Sequence, residues 1–378
     1  MDLVAQLNTA PESDSTSVLM AKIVSLLESP DRLTQQRGLR VTYNLCEKPE
    51  YKSTLHLMAP IVPALIQKAK SGVEKATREL ALQALSKLCV NDANAEEFLA
   101  CLGYPVLLAA LDSMDVTLEL AGSMLLVVLL KNARNRDAFV SVKATPIVVK
   151  LLLSDTENVK TNIVWATSLA LENEQTQKAF VEEGGVPILL RLAQSPNPGV
   201  VLRVLVSVGL LLTNPSVFNE LKDSGIIQRF LRLLSSPSPL LQKHGIEAVV
   251  RFGEHFELRE ALYRAQAIPA LLEVVTSSND VSLKKQAVTA LSCFLDDDEQ
   301  ALYIEESQAL RPVVRLMVSN DADLRMEALK MISKSAGVPE LRSQLLSIGA
   351  MAPLVQMLNV QDRSLVRRKE CWLRVLFV

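Results

Sequence analysis

Histidines and clustered carboxylates are the side chains in this sequence that could bind a metal or transfer protons. The three histidines, His56, His244 and His255, lie far apart, and none has a metal-ligand companion four residues later. Residues 296–299 place four carboxylates together, but they lack the glycine and the spaced ligands of a calcium loop. Because acidic side chains are stabilised at a helix N-terminus, we interpret this run as a cap on the helix that follows.

No other pattern in the sequence supplies a reaction centre. A glycine-rich phosphate loop, a serine nucleophile elbow and paired carboxylates on one rigid element are all missing. A nucleophile, a base and a group that orients them form the usual minimum for catalysis. We therefore predict that the protein is not an enzyme, with no catalytic residue, metal site, cofactor or small-molecule substrate.

The cysteines indicate a reduced environment rather than a disulfide framework or a zinc site. They are odd in number and widely spaced, and no two form a Cys-x-x-Cys pair: Cys46, Cys89, Cys101, Cys293 and Cys371. Free cysteine behaves as a small hydrophobe, so we predict that Cys46 and Cys89 are buried spacers. Residues 1–17 lack the basic start and apolar core of a secretory signal. We expect a cytoplasmic protein, with a nuclear location as the alternative.

A motif of about 41 residues recurs along the chain and must organise the elements that carry these side chains. Each copy contains a small residue, a branched apolar residue, usually a proline, and then an apolar helix. The proline position falls, at steps of 41 to 43 residues, at Ala21, Pro63, Pro105, Pro146, Pro187, Gln228, Pro269, Pro312 and Pro353. Repetition at this period is typical of a stacked solenoid, in which each repeat packs only on its neighbours.

Residues 173–214 show how one repeat is built. Asn173 caps a short first helix, which a Gly-Gly pair ends. Pro187 then opens a second helix over 188–193, because proline is tolerated in a first turn. A Ser-Pro-Asn-Pro-Gly run breaks the second helix, and a third, largely apolar helix follows over 200–212.

Ser-Pro pairs stand at the predicted turn between the second and third helices of several repeats. A proline at this place ends one helix and starts another, so we interpret the pairs as turns. Phosphorylation by proline-directed kinases is the alternative interpretation. The pairs begin at Ser29, Ser195, Ser236 and Ser238.

The pattern resembles the armadillo repeat. Asn-Glu-Gln at 173–175, Gly-Gly-Val-Pro at 184–187 and Ser-Pro-Asn-Pro at 195–198 carry the likeness, and similar stretches cover residues 94–105, 139–146, 218–227, 261–269, 303–312 and 341–353. The resemblance implies an all-α fold, a right-handed α-α superhelix of the armadillo solenoid type, with about nine repeats of roughly 41 residues. We expect a polar tail over residues 1–17 and one solenoid over residues 18–378, with incomplete first and last repeats.

The sequence stops inside a predicted third helix, at residues 371–378. The apolar side of that helix would be exposed in a monomer. We expect either that the natural protein continues beyond this point or that this edge packs on another chain.

The chain departs from the peptide-binding members of the armadillo family. Those proteins typically carry an asparagine on the third helix of successive repeats, four residues after a frequent tryptophan, and these side chains hold an extended peptide. Only Asn44 fits the asparagine position, and neither Trp165 nor Trp372 is followed by asparagine. This departure argues against the activity of a nuclear-import receptor.

The corresponding third-helix positions form the candidate protein-binding surface on the inner curve. They are basic or polar in the early repeats, apolar in the middle and charged again near the end: Arg40, Asn44, Lys87, Val128, Trp165, Leu169, Val206, Leu210, Arg251 and Lys334. Met124 and Val127 are expected to extend the apolar part. An apolar centre with basic ends would suit an amphipathic helix or an unfolded segment with acidic flanks. The alternative is that these side chains are ordinary core between repeats.

These observations predict a non-enzymatic protein-binding scaffold or adaptor. The alternative is a chaperone or co-chaperone, similar to the myosin-chaperone (UCS) type, that binds clients in the apolar centre. With 40 basic and 42 acidic side chains, no global charge attracts nucleic acid. The most apolar stretch, residues 200–212, is too short to span a bilayer and contains Arg203, so we expect no membrane insertion.

Overall fold

The computed structural model describes residues 13–48 and 58–359, and the side chains of residues 18–48 and 58–356. Within these ranges every regular element is a helix and none is a strand. The first described helix begins at Ser13, inside the range predicted to be a tail. His56, Cys371, Trp372 and the predicted apolar end at 371–378 lie outside the described residues.

The chain forms two compact units, Met1–Leu192 and Ala193–Val378. Unit 1 contains twelve described helices: α1 Ser13–Glu28, α2 Arg32–Glu47, α3 Val62–Ala69, α4 Lys75–Leu88, α5 Asp92–Ala100, α6 Gly103–Leu111, α7 Val116–Leu129, α8 Ala133–Ser141, α9 Thr145–Leu151, α10 Glu157–Ala170, α11 Glu174–Glu182 and α12 Gly185–Leu192. Its third helices, α2, α4, α7 and α10, pack one against the next.

Unit 2 repeats the same order of helices. Its described helices are α13 Pro198–Leu211, α14 Val217–Asp223, α15 Ile226–Leu234, α16 Pro239–Gly253, α17 Phe256–Arg264, α18 Ala267–Ser277, α19 Val281–Cys293, α20 Asp298–Glu306, α21 Leu310–Leu316, α22 Ala322–Ala336, α23 Pro339–Ser347 and α24 Met351–Asn359. A short 3-10 turn, Phe294–Asp296, follows α19. The third helices α13, α16, α19 and α22 again pack in succession.

The helix boundaries follow from local sequence signals. The side chain of Asn173 accepts hydrogen bonds from the backbone N–H groups of Gln175 and Thr176, which confirms it as the cap of α11. Gly184 lies in the turn between α11 and α12 and adopts a φ of +70°, a backbone conformation that favours glycine. The second helix begins at Gly185 rather than at residue 188. The ring of Phe180 packs where a Cβ at residue 185 would stand, which explains the glycine there.

The third helices begin after a turn that serine stabilises. The Oγ of Ser29 accepts a hydrogen bond from the N–H of Asp31 at 3.2 Å, and Ser195 and Ser236 make the same bond two residues onward. Ser113, Ser154, Ser278 and Ser319 do so in other repeats. The Ser-Pro pairs therefore lie in turns between second and third helices, as predicted. The predicted third helix at 200–212 begins two residues earlier, at Pro198.

In five of the described repeats a side-chain donor joins the start of the first helix to the end of the preceding third helix. An asparagine, glutamine or arginine side chain donates a hydrogen bond to the backbone carbonyl six residues earlier. That carbonyl lies at the C-terminus of the third helix, where it has no hydrogen-bond partner within the helix. The pairs are Asn94 to Leu88, Arg136 to Leu130, Gln177 to Leu171, Arg259 to Gly253 and Arg342 to Ala336, at 2.8 to 3.1 Å. Gln300 is the third residue of α20, as Asn94 is of α5, but its buried amide makes no such bond.

Two cysteines and the acidic run confirm their predicted structural roles. Cys46 and Cys89 are buried, and burial raises the pKa of the Cys46 thiol to about 12. Asp297 caps α20 and accepts a hydrogen bond from the N–H of Gln300.

Among the described helices no single one is long and apolar enough to cross a bilayer, although α5 and α6, bent by 92°, have that length and composition as a pair.

Candidate protein-binding surface

The third helices of unit 1 present one exposed strip each, and the predicted residues lie on it. Arg40 and Asn44 on α2 are exposed, whereas Lys87 on α4 is partly exposed. Val128 on α7 and Trp165 on α10 are also partly exposed, and so is Leu169 on α10. None of these six side chains is buried in the unit.

Val127 does not belong to this strip. Only 5% of its surface is exposed, because one residue along an α-helix turns the side chain by about 100°, away from solvent and into the packing between helices. Met124, four residues before Val128 on the same face, is 39% exposed. The extension of the binding surface stays a prediction for Met124, which is exposed, and does not include Val127, which is buried between helices.

Four side chains on adjacent helices form what we call the apolar row of unit 1: Met124 and Val128 on α7, and Trp165 and Leu169 on α10. The two helices are tied together beside the row, where Asn162 donates a hydrogen bond to the Oγ of Ser123 at 3.1 Å. The ammonium group of Lys131 lies 5.4 Å from the centre of the Trp165 ring, a cation–π arrangement. The row is thus an apolar patch with a cation at its edge.

The third helices α2 and α4 are more basic than α7 and α10. These two helices carry six basic and two acidic side chains between them. The ammonium group of Lys87 pairs with Glu47 at 2.8 Å and lies 5.2 Å from the ring of Tyr43. The hydrogen bond to Glu47 raises the pKa of Lys87, and the same bond lowers the pKa of Glu47. Arg37 and Arg40 are exposed on α2.

Lys75 at the start of α4 is engaged in an interhelix pair. It lies 2.6 Å from Asp115, the residue that caps α7. The hydrogen bond from Lys75 has the largest effect on the pKa of Asp115 and the bond from Thr117 the next largest, and the pKa is lowered to about 2. Ion pairs of this kind connect successive third helices near their ends and leave the exposed strip between them.

In unit 2 two of the candidate residues, Val206 and Arg251, line a small notch between α13 and α16. Val206 is 39% exposed and Leu210 is partly exposed, while Arg251 is exposed across from them. A cavity of about 40 Å³ lies between these helices, lined by residues that include Val206, Gly209 and Arg251. A Cβ at Gly209 would come within 3.0 Å of the Cδ of Arg251, so the arginine stem rests on the glycine.

The ammonium group of Lys334, the last predicted binding residue, is already bonded to other groups of the protein. Its ammonium group donates to the carbonyl of Ser292 and pairs with Asp296, both at 2.8 Å. It therefore links α22 to the turn that follows α19. Its side chain is exposed, yet its charge is already neutralised by an acidic partner.

The first helices of unit 2 form a groove that the sequence did not indicate. It has a volume of about 580 Å³ and lies along α14 and α17, with Phe256 exposed on one wall. Its charges are mixed and mostly paired, since Lys222 bonds Glu257 and Arg264 bonds Glu260. The signal available in the sequence was Phe256 itself, a large aromatic residue at the first position of a first helix.

Among the described residues, no group of three or more histidine, cysteine or acidic side chains could hold a metal ion.

Comparison with known proteins agrees with this architecture. The model of the Armadillo/beta-catenin-like repeat matches residues 255–292. No curated protein matches the chain. An engineered protein from the Northeast Structural Genomics Consortium has a similar structure, with 23% identity, a TM-score of 0.84, and coverage of 94% of this chain and 87% of that one.

A second similar structure is a designed armadillo repeat protein in complex with the peptide (KR)4. It has 20% identity and a TM-score of 0.57, with coverage of 61% of this chain and 98% of the designed one. The fold is therefore the all-α, armadillo-type solenoid that the repeat pattern predicts. The chain contains an armadillo repeat at residues 255–292 within this fold, and the resemblance to the armadillo family is confirmed.

Proposed function

We propose that the chain is a non-enzymatic protein-binding scaffold or adaptor that holds partners on the exposed strips of its third helices. The apolar row of unit 1 carries this proposal. Most large apolar side chains of the unit are buried, whereas Met124 is 39% exposed beside three partly exposed apolar neighbours. Apolar side chains grouped on an otherwise well-packed surface mark interaction sites.

The likeness to a designed protein that binds a peptide supports this proposal. That protein binds the basic peptide (KR)4. In this chain α2 and α4 are predominantly basic, so a basic segment would meet like charges there. We therefore propose a partner of the opposite charge at that end of unit 1.

Affinity purification with mass spectrometry tests the proposal if the bait is compared with matched variants. Met124→Glu places a carboxylate in the apolar row, and Leu302→Glu places one on the first helix α20, where the leucine is 43% exposed. Met124→Glu should lose specific partners that both the wild type and Leu302→Glu retain. If both variants recover the same partners as the wild type, the apolar row is not a binding surface. Circular dichroism checks that both variants keep the helical fold.

The chaperone alternative rests on the same exposed apolar row, since unfolded clients bind to exposed apolar surface. A heated client protein distinguishes the two functions. A scaffold should leave client aggregation unchanged at equimolar concentration. A chaperone should suppress aggregation, and Met124→Glu should weaken that suppression whereas Leu302→Glu should not.

A further inference from the structure

The chemistry of the apolar row restricts the backbone conformation of a partner. Of its four side chains, Trp165 carries one donor, the indole N–H, and the thioether of Met124 is only a weak acceptor. The nearby amide of Asn162 already donates to Ser123. The family's asparagine positions on α7 and α10 are occupied by Val128 and Leu169. The row therefore offers an incoming chain apolar contact and almost no side-chain hydrogen bonds.

An extended peptide would be a poor occupant of such a surface. Its backbone N–H and C=O groups need external partners, and each one buried without a partner weakens binding. An α-helix satisfies these groups internally and presents apolar side chains at i, i+3 or i+4, and i+7. The row spans α7 and α10, and adjacent packed helices are separated by about 8–10 Å. Positions i and i+7 of a helix that crosses both are separated by about the same distance.

The charge of the strip restricts the partner further. The exposed Arg37 and Arg40 lie on α2, and α2 packs on α4, which packs on α7. Adjacent helices are separated by about 8–10 Å, so two steps place these arginines roughly 18 Å from the row. A helix covers that distance in about 12 residues. Acidic side chains at this separation from an apolar stripe would complement the basic end.

We propose that unit 1 binds an amphipathic α-helix whose apolar stripe covers Met124, Val128, Trp165 and Leu169 and whose acidic residues, about 12 positions away, lie against Arg37 and Arg40. This inference rests on the proposed function and names the partner of the same surface. It differs from the extended mode that the family's asparagine row supports, because this chain keeps only one asparagine at those positions.

A selection from displayed random 20-residue peptides tests the inference with the full chain as bait. Peptides that bind Met124→Glu equally well are removed by counter-selection. The enriched sequences should carry apolar residues at i, i+3 or i+4, and i+7, with aspartate or glutamate clustered about 12 residues from the stripe. Apolar residues that alternate at i and i+2, or prolines inside the stripe, would show an extended partner and overturn the inference.

The binding constant of the best peptide supplies the second readout. A proline in the middle of its apolar stripe should weaken binding at least tenfold, as should replacement of its acidic residues by lysine. The lysine peptide should bind an Arg37→Glu/Arg40→Glu variant better than it binds the wild type. If charge reversal on either side leaves the affinity unchanged, the acidic part of the inference is wrong.

Failure of the inference is distinguishable from failure of the proposed function. Row-dependent peptides that bind as extended chains would leave the scaffold proposal intact and refute only the helix. Peptides that bind the wild type and Met124→Glu equally, with none lost by counter-selection, would refute both. Leu302→Glu should retain every selected peptide, because its carboxylate lies on a first helix outside the strip.

Discussion

Replacement of Gln177 by methionine should destabilise unit 1 through the loss of one buried hydrogen bond. The Nε2 of Gln177 donates to the carbonyl of Leu171 at 2.8 Å, and both residues are buried. Methionine has a similar length and keeps the packing but cannot donate. A buried carbonyl that loses its donor costs about 1–3 kcal/mol. For a unit of this size, each kcal/mol lowers the melting temperature by roughly 2–4 °C.

Urea and thermal unfolding followed by circular dichroism measure this effect, and hydrogen exchange locates it. We expect reduced protection of the amides in α10 and α11, on the two sides of the lost bond. The matched control is Gln175→Met, because Gln175 lies on the same helix but is exposed. An unfolding free energy for Gln177→Met that equals that of Gln175→Met would refute the structural role assigned to the donor.

Three further predictions follow from individual contacts. Gly185→Ala places a methyl group against the ring of Phe180 and should lower stability by about 1–3 kcal/mol in thermal unfolding, with partial rescue by Phe180→Leu. Asp115 has a pKa lowered from 3.8 to about 2, so its stabilising effect is present above pH 3.8 and is lost as the pH falls through 2. Asp115→Asn can keep the helix cap, so its stability deficit relative to the wild type in acid titration should vanish near pH 2; a constant deficit would contradict this assignment. Native thiol labelling read by mass spectrometry should modify Cys101 before Cys46 and Cys89, since the latter two are buried; equal rates would show that their helices open readily.

The local signals in the sequence were sufficient to predict the helices. Asn173 predicts a first-helix cap and the proline position predicts a second helix, because both depend on the backbone within a few residues. The side of the third helix that meets solvent was harder to predict. Val127 and Val128 are identical in type, and only the packing of α7 against its neighbours makes the first buried and the second exposed.

Contacts between repeats could not be read from single positions. Lys87 and Glu47, or Lys334 and Asp296, are about one repeat apart, and their pairing requires the separation of adjacent third helices. The donors that close the helix ends lie at the third or fourth residue of their helices and differ in side-chain type, so no motif reveals them. Asn94, Arg136 and Gln177 become equivalent only when the carbonyl that each one reaches is known.

Because the amide of Gln300 makes no bond to the preceding helix, the joint between α19 and α20 depends on a residue that comes later in the chain. At the five joints described above, the first helix itself secures the end of the helix before it. At this joint Lys334, which comes from α22, bonds the carbonyl of Ser292 and the carboxylate of Asp296. Removal of α22 would therefore weaken a joint that lies 42 residues before Lys334. The end of α19 would lose this anchorage before α20 lost any residue of its own.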